Sequence, residues 1–377
     1  MDSCDALIVG GGPAGSSCAR ALVRHGLDVL LLDKSDFPRD KVCAGWVTPE
    51  VVEALELDLA EYAAGRVLQP ITGFRTGVLG GRLLENRYAE VVSYGIRRCE
   101  LDHYLLQRAG ARLKLGEGVQ SIERSNAGWL INGRYRAPLL IGAGGHFCPV
   151  ARWLGASLGS AETVVAAKEV EFLLTPEQRT QCPLDPETPE LFFCRDLKGY
   201  GWCLRKGDYL NIGLGREDNR GLSERLDAFC GYLRQQGRIP AELPDRFHGH
   251  AYLLYPHSSR PLFDQGALLI GDAAGLAYLE SGEGIRPAVE SGLLAADAIV
   301  LVSGDYRAER LALYAERLAA RFGPRRPAAP PSPFPLLGKL RRFAGRRLLA
   351  NRWLTRRLVL DRWFLRRQQA ALELGQI

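Results

Sequence analysis

Two textures of apolar and polar positions alternate along the chain. Short unbroken apolar runs (Ala6–Val9, Val29–Leu32, Leu139–Ile141 and Ala267–Ile270) have the length and composition of strands buried on both faces. Helical spacing follows or separates them: Ala14–His25, ended by Gly26; Glu100–Ala109; Leu222–Gln236; and a long stretch from Ile285 to Leu301. The second texture is strict alternation. Val164–Leu174, Glu190–Cys194, Tyr200–Leu204 and Tyr209–Leu214 predict a mostly antiparallel sheet, and residues 66–95 read as short strands with glycine turns. Leu113–Ile131 predicts a strand and a hairpin turned at Asn126-Ala-Gly, and Thr48 is expected to cap a short helix with Pro49 at its first position. The pattern is α/β, α+β overall, with one domain built from separated pieces and sheet-rich segments inserted between them.

The first buried strand runs into GGGPAG, Gly10–Gly15, then into helix, second strand and Asp33. A lone glycine motif is weak, but strand, glycine turn, helix, strand and carboxylate within about 30 residues form a dinucleotide-binding βαβ unit. Gly10 permits the sharp turn, Gly12 lets backbone approach a pyrophosphate, and Gly15 lets helix pack on strand. Pro13 and Ala14 open the helix, whose N-terminal N–H groups favour phosphate. Asp33, eighteen residues past Gly15, is placed to accept from a ribose 2′-hydroxyl, with Lys34 beside it. The run is therefore expected to bind a dinucleotide on a Rossmann-like domain.

A second stretch, Gly266–Val300, completes this reading. Its buried strand ends at Gly271-Asp272, and Ser281-Gly-Glu-Gly-Ile285 starts a helix whose face carries Ala288, Gly292 and Ala296. An aspartate at a strand end can hold a ribose or ribityl hydroxyl, and Gly282, Gly284 and Ile285 add backbone N–H groups.

Together, GGGPAG and GDAAG…GEGI resemble the bipartite FAD site of the p-hydroxybenzoate hydroxylase-like flavoproteins. FPRDKVCAG (Phe37–Gly45), GYGWCLRKGDYLNIGLG (Gly199–Gly215) and the GEGI form of the last motif point within them to the geranylgeranyl reductase family. The resemblance covers roughly residues 5–305. It implies an FAD-binding domain over 1–65, 98–163 and 256–323, with a substrate domain over 66–97 and 164–255. It also implies that Gly10, Gly12, Gly15 and Asp33 hold the ADP half of the cofactor, and that Gly271, Asp272, Arg98 (in RCELD) and Cys43, Ala44 and Gly45 of the CAG loop contact it. Cys43 would lie near the isoalloxazine, or be only a small residue in a tight loop. Tyr200 and Trp202 are equally open between a functional role and sheet core.

The implied activity is reduction or dehydrogenation of a small apolar, isoprenoid-like substrate by hydride from flavin N5, with NAD(P)H or another reductant as donor. Cys43, Tyr200 and Glu283 are the candidate proton donors, unranked by sequence. The middle motif departs from the superfamily: Gly142-Ala-Gly-Gly-His146 carries Gly144 where hydroxylases carry aspartate. That weighs against the alternative of an NADPH-dependent monooxygenase. No lysine occurs between Lys41 and Lys114, which excludes a halogenase. A flavoprotein passing electrons to a membrane quinone stays open.

Charge changes the picture only at the C-terminus. Residues 324–377 hold thirteen Arg and Lys against two acids, so a chain of net +6 carries about −5 over residues 1–323. A basic body would have suggested nucleic acid; this one predicts none. The segment reads as a Pro-rich linker over Pro324–Pro335, then a basic helical tail in which apolar residues recur every three to five positions. The tail is expected either to pack on the acidic body or to touch a membrane peripherally. No run reaches the ~18 apolar residues of a spanning helix, and the acidic start predicts no cleavable leader. Nine scattered cysteines without metal spacing read as free thiols of a cytoplasmic protein, with no metal site expected.

Overall fold

In a computed structural model of the chain, residues 1–126, 128–157, 162, 164–218, 221–326 and 343–373 are described. The four continuous apolar runs lie together in a six-stranded sheet. Its order is Phe263–Asp264, Ala267–Leu269, Leu139–Gly142, Ala6–Val9, Val29–Leu32 and Arg112–Lys114. Every pairing is parallel except at the Phe263–Asp264 edge. Ala6–Val9 is central and buried on both faces, as its composition requires. Helices Pro13–Arg24 and Ile285–Leu301 pack against each other: a Cβ on Gly292 would lie 2.4 Å from Ala14 O. The small-residue face of the long helix thus serves close helix contact.

The alternating segments form a seven-stranded sheet, ordered His248–Leu253, Val164–Leu173, Tyr209–Arg216, Gly199–Lys206, Glu190–Phe193, Gly73–Val78 and Leu84–Arg87. It is antiparallel except where Glu190–Phe193 meets Gly73–Val78. Leu68–Ile71 and Trp46–Val47 instead pair on either side of Ser93–Ile96, tying residues before 65 to the 66–97 segment. Thr48 does precede the helix Pro49–Ala54, but its hydroxyl makes no cap bond; it is buried without a partner.

The tail packs on the body. Leu349, Val359, Leu360, Phe364 and Leu365 are buried in one apolar cluster with Trp46, Phe74 and Trp202 of the sheets. Thr355–Phe364 is a π-helical stretch, so its apolar positions do not follow an ordinary helical stripe. Arg366 and Arg367 pair with Glu280 and Glu90, and Asp361 accepts from Tyr88 Oη at 2.7 Å. Of the Pro-rich linker, residues 327–335 lie outside the described residues, as do Leu337 and Leu340 of the tail and the centre of the 126–128 turn. Arg325 and Arg326 at the linker's start are held by the body: Arg325 Nη2 donates to Ala274 O (2.7 Å) and Arg326 N to Pro256 O (2.7 Å). Among the described residues, no helix is long and apolar enough to cross a membrane. All nine cysteines are free.

Candidate active site

A cavity of about 630 Å³ opens along the C-terminal ends of the parallel strands, where open α/β sheets bind ligands. Its first wall is the glycine turn. Gly10 has φ +115°, and a Cβ there would lie 2.4 Å from Ala143 O, so only glycine fits. A Cβ on Gly12, by contrast, meets only Arg39 Nη2 at 3.5 Å, leaving the backbone bare toward the cavity. Pro13 and Ala14 follow it along the wall, and the helix starting at Pro13 leaves first-turn N–H groups without intrahelical partners.

Asp33 also lines the cavity, with Lys34 at its exposed rim. The Asp33 carboxylate accepts from Gly11 N (2.7 Å) and Ser35 N (2.9 Å), so it braces the glycine turn. A carboxylate has about four acceptor positions, which leaves room for ribose hydroxyls as well. Arg98 lies deeper, bidentate to the buried Asp102 at 2.9 and 3.0 Å, while Arg39 shares that aspartate at 3.3 Å. Two residues expected at the cofactor do not line the cavity. Gly15 is pressed on Gly10 O, 1.9 Å from where its Cβ would be, and Gly271 sits against Ala14, donating its N–H to Ser291 Oγ at 3.0 Å. Both are close-packing positions.

The far end brings the second motif in. Asp272, Gly282, Glu283, Gly284 and Ile285 line the cavity, and a Cβ on Gly284 would meet Asp272 Oδ1 at 3.4 Å. Asp272 Oδ2 lies 3.1 Å from His250 Nε2, and Lys41 Nζ lies 2.9 and 2.8 Å from the two imidazole nitrogens. The Asp272 carboxylate only accepts, so its bond to His250 takes a proton on Nε2, while Lys41 lies within reach of both ring nitrogens. Burial raises the Asp272 carboxyl, but His250, Lys41 and Arg98 outweigh it and hold it at about 2. Burial, opposed by Asp272, brings Lys41 down to about 8; burial and then Lys41 push His250 below its usual range, leaving it neutral at pH 7.

Of these residues, sequence reasoning missed His250, although His250 and Tyr252 alternate on one strand and stack at 5.9 Å. That spacing was the available signal.

The CAG loop forms the floor, held from behind by a buried polar network. Glu169 Oε1 accepts from Cys43 N (2.5 Å), and Asn211 Nδ2 donates to Cys43 O (3.2 Å). Lys206 Nζ donates to Ala44 O (3.1 Å) and Ile96 O (2.9 Å) and pairs with Glu171. Trp202 Nε1 donates to Asn211 Oδ1 at 2.7 Å, so the GYGWCLRKGDYLNIGLG motif is largely the scaffold of this loop. Burial pushes Glu169 up to about 8. Burial also raises the Cys43 thiol, against the lowering pull of Arg98, and keeps it protonated near neutrality. The Tyr200 hydroxyl already donates to Ser281 O at 2.7 Å, tying the aromatic strand to the GEGI loop.

Glu283 faces the cavity with one oxygen accepting from Arg286 N (2.7 Å), and burial brings its carboxyl to about 7. Above these groups the wall turns apolar: Ala44, Trp46, Ala167, Tyr200, Trp202 and Tyr252 belong both to the cavity and to the cluster that takes Phe364. Among the described residues no group of His, Cys, Asp and Glu could hold a metal.

Known proteins are similar to this chain in sequence and in fold. A family model described as FAD dependent oxidoreductase matches residues 5–90. A menaquinone reductase of Mycobacterium tuberculosis is 29% identical over 345 residues, 85% of this chain and 81% of that protein. A digeranylgeranylglycerophospholipid reductase of Methanothrix thermoacetophila is 29% identical over 347 residues, 85% and 84% of the two chains. The fold matches a geranylgeranyl bacteriochlorophyll reductase-like protein of Thermoplasma acidophilum with TM-score 0.74 and 21% identity, covering 100% of this chain and 94% of that one.

The residues present fit FAD. Bare backbone at Gly12 and the helix start suit a pyrophosphate, and Asp33 and Asp272 offer acceptors to hydroxyls at the two ends. Asp272→Ala is expected to weaken FAD binding by about 1–3 kcal/mol, the cost of a charge-assisted hydrogen bond. Flavin fluorescence titration checks it, and unchanged affinity would show that Asp272 does not serve the cofactor. The chain is an FAD-dependent oxidoreductase, and geranylgeranyl and menaquinone reductases stand among its relatives.

Proposed function

We propose that this oxidoreductase reduces a carbon–carbon double bond in an apolar, isoprenoid-type chain. The observation that carries the reading is the apolar wall. Trp46, Tyr200, Trp202 and Tyr252 join the cavity's polar floor to a large apolar cluster, so one pocket offers acid–base groups below and hydrocarbon above. Three relatives bear names of reductases acting on geranylgeranyl, digeranylgeranyl or menaquinone compounds, which supports the same substrate class.

FAD, bound and reduced, would supply the hydride. The chain's own residues orient the substrate, exclude water and hold the proton. Cys43 is protonated at neutral pH and Glu283, at about 7, partly so, whereas Tyr200 must first break its bond to Ser281. Glu283 is therefore the preferred donor, because a pKa near 7 suits both gaining and losing a proton at neutral pH.

The test is anaerobic photoreduction followed by mixing with a prenylated lipid or with air. Rapid flavin reoxidation by the lipid, with a saturated product by mass spectrometry, is the expected result. Rapid reoxidation by air with an oxygenated product would instead establish the monooxygenase. Reoxidation by a quinone without reduction of its prenyl chain would establish electron transfer. Comparing NADH, NADPH and dithionite as reductants identifies the donor.

The pH dependence follows from the donor. A carboxyl that must be protonated to act loses activity as pH rises through its pKa, so the single-turnover rate should fall about tenfold per unit above about pH 7. In Glu283→Gln the rate should drop and that limb should vanish. A limb that persists in the variant would assign the proton elsewhere.

A further inference from the structure

We propose that the outer face of residues 343–362 docks this protein on an anionic lipid bilayer. The segment is two-sided. Inward, Leu349, Val359 and Leu360 are buried with the sheet residues that back the cavity's apolar wall. Outward, Phe343 and Trp353 are 58% and 64% exposed, an unusual place for large rings that gain by leaving water. Arginines flank both rings. Arg347 lies 5.2 Å from the Phe343 ring and Arg357 lies 5.7 Å from the Trp353 ring, with Arg346, Arg352 and Arg362 also exposed.

The one carboxylate between residues 343 and 362 is Asp361, and Tyr88 Oη donates to it at 2.7 Å. Six arginines on the segment stand against that one acid, a balance of +5. The rest of the chain carries about −5 over residues 1–323, so positive charge is concentrated here rather than spread.

Exposed aromatic rings between arginines match the boundary of a bilayer, where rings enter the headgroup layer and guanidinium groups meet lipid phosphates. A nucleic acid would use the arginines but would need the rings to stack on unpaired bases. The docking face is also placed well for an apolar substrate: its inner side, one helix thickness away (~10 Å), is the cluster that takes Phe364 beside Tyr200 at 5.2 Å. The docking stands apart from the reductase reading, and its test uses no substrate.

The test is flotation of the flavin-loaded full chain with vesicles of phosphatidylcholine, alone or with about one-third phosphatidylglycerol. Binding to the anionic vesicles, and its loss as salt shortens the screening length, is expected. The triple variant Arg347→Gln, Arg352→Gln, Arg357→Gln should lose about a hundredfold in partitioning, at about fivefold per arginine. Brominated acyl chains should quench tryptophan fluorescence in the wild type and much less in Trp353→Phe, which decides the matter even if the triple variant folds poorly. The proposal is overturned if the wild type ignores anionic vesicles, if binding and quenching are unchanged in the variants, or if the face prefers a single-stranded DNA oligomer to the vesicles.

Discussion

Gly12→Glu is expected to yield a folded chain that carries no FAD, and the wild type is expected to carry one FAD held non-covalently. The backbone at Gly12 is extended (φ −73°, ψ −176°), a conformation any residue adopts, and a Cβ there meets only Arg39 Nη2 at 3.5 Å. The new side chain is thus accommodated by the protein but projects where the pyrophosphate must lie. Two like charges ~4 Å apart at an effective dielectric of ~20 repel by about 4 kcal/mol, roughly a thousandfold in Kd. Gly15→Ala is the contrasting control. Its Cβ would fall 1.9 Å from Gly10 O, so that variant should lose stability and not only cofactor. Flavin released on denaturation and a thermal melt separate the two effects. A yellow Gly12→Glu protein would mean that the glycine turn does not cradle the cofactor.

That pair of glycines shows what was legible in the sequence. Gly10, Gly12 and Gly15 act within one turn, and Ile285–Leu301 begins and ends as its local pattern predicts, because strand, turn and helix signals are written in adjacent residues. The pairing of GGGPAG with GDAAG…GEGI was also legible, since each half carries its own strand and helix start.

Contacts between remote segments were not. Lys41 reaches His250 across 209 positions and Cys43 reaches Glu169 across 126, and nothing local to either residue marks the other. The π-helical turn of Thr355–Phe364 likewise escaped an ordinary helical reading, and its Phe364 meets the remote Tyr200 at 5.2 Å. Gly271, expected at the cofactor from its motif, instead lets the strand end meet Ala14.

The largest expected loss of stability comes from the remote network under the CAG loop. Lys206 is 0% exposed, and its ammonium serves three partners at once: Ala44 O, Ile96 O and the Glu171 carboxylate. Gly45 has φ +71°, and a Cβ there would lie 2.4 Å from Ile96 O and 2.7 Å from Lys206 Nζ, so the loop is shaped around that ammonium. Lys206→Met keeps the length of the side chain and removes the charge and all three bonds.

Breaking a buried ion pair from one side costs about 3–5 kcal/mol, because the other charge stays buried. Glu171 keeps Arg97 at 3.1 Å and Asn211 at 3.1 Å, which places the expected loss toward the lower end of that range. The Cys43–Gly45 backbone should loosen as well, weakening FAD in a titration alongside the shift in chemical denaturation. Adding Glu171→Gln removes the carboxylate left with Arg97 and Asn211, and Arg97 keeps Glu100 at 2.8 Å, so the double variant should recover part of the stability while the loop remains loose and the FAD affinity low. If Lys206→Met melts and binds flavin like the wild type, the network is not what holds the floor of the site.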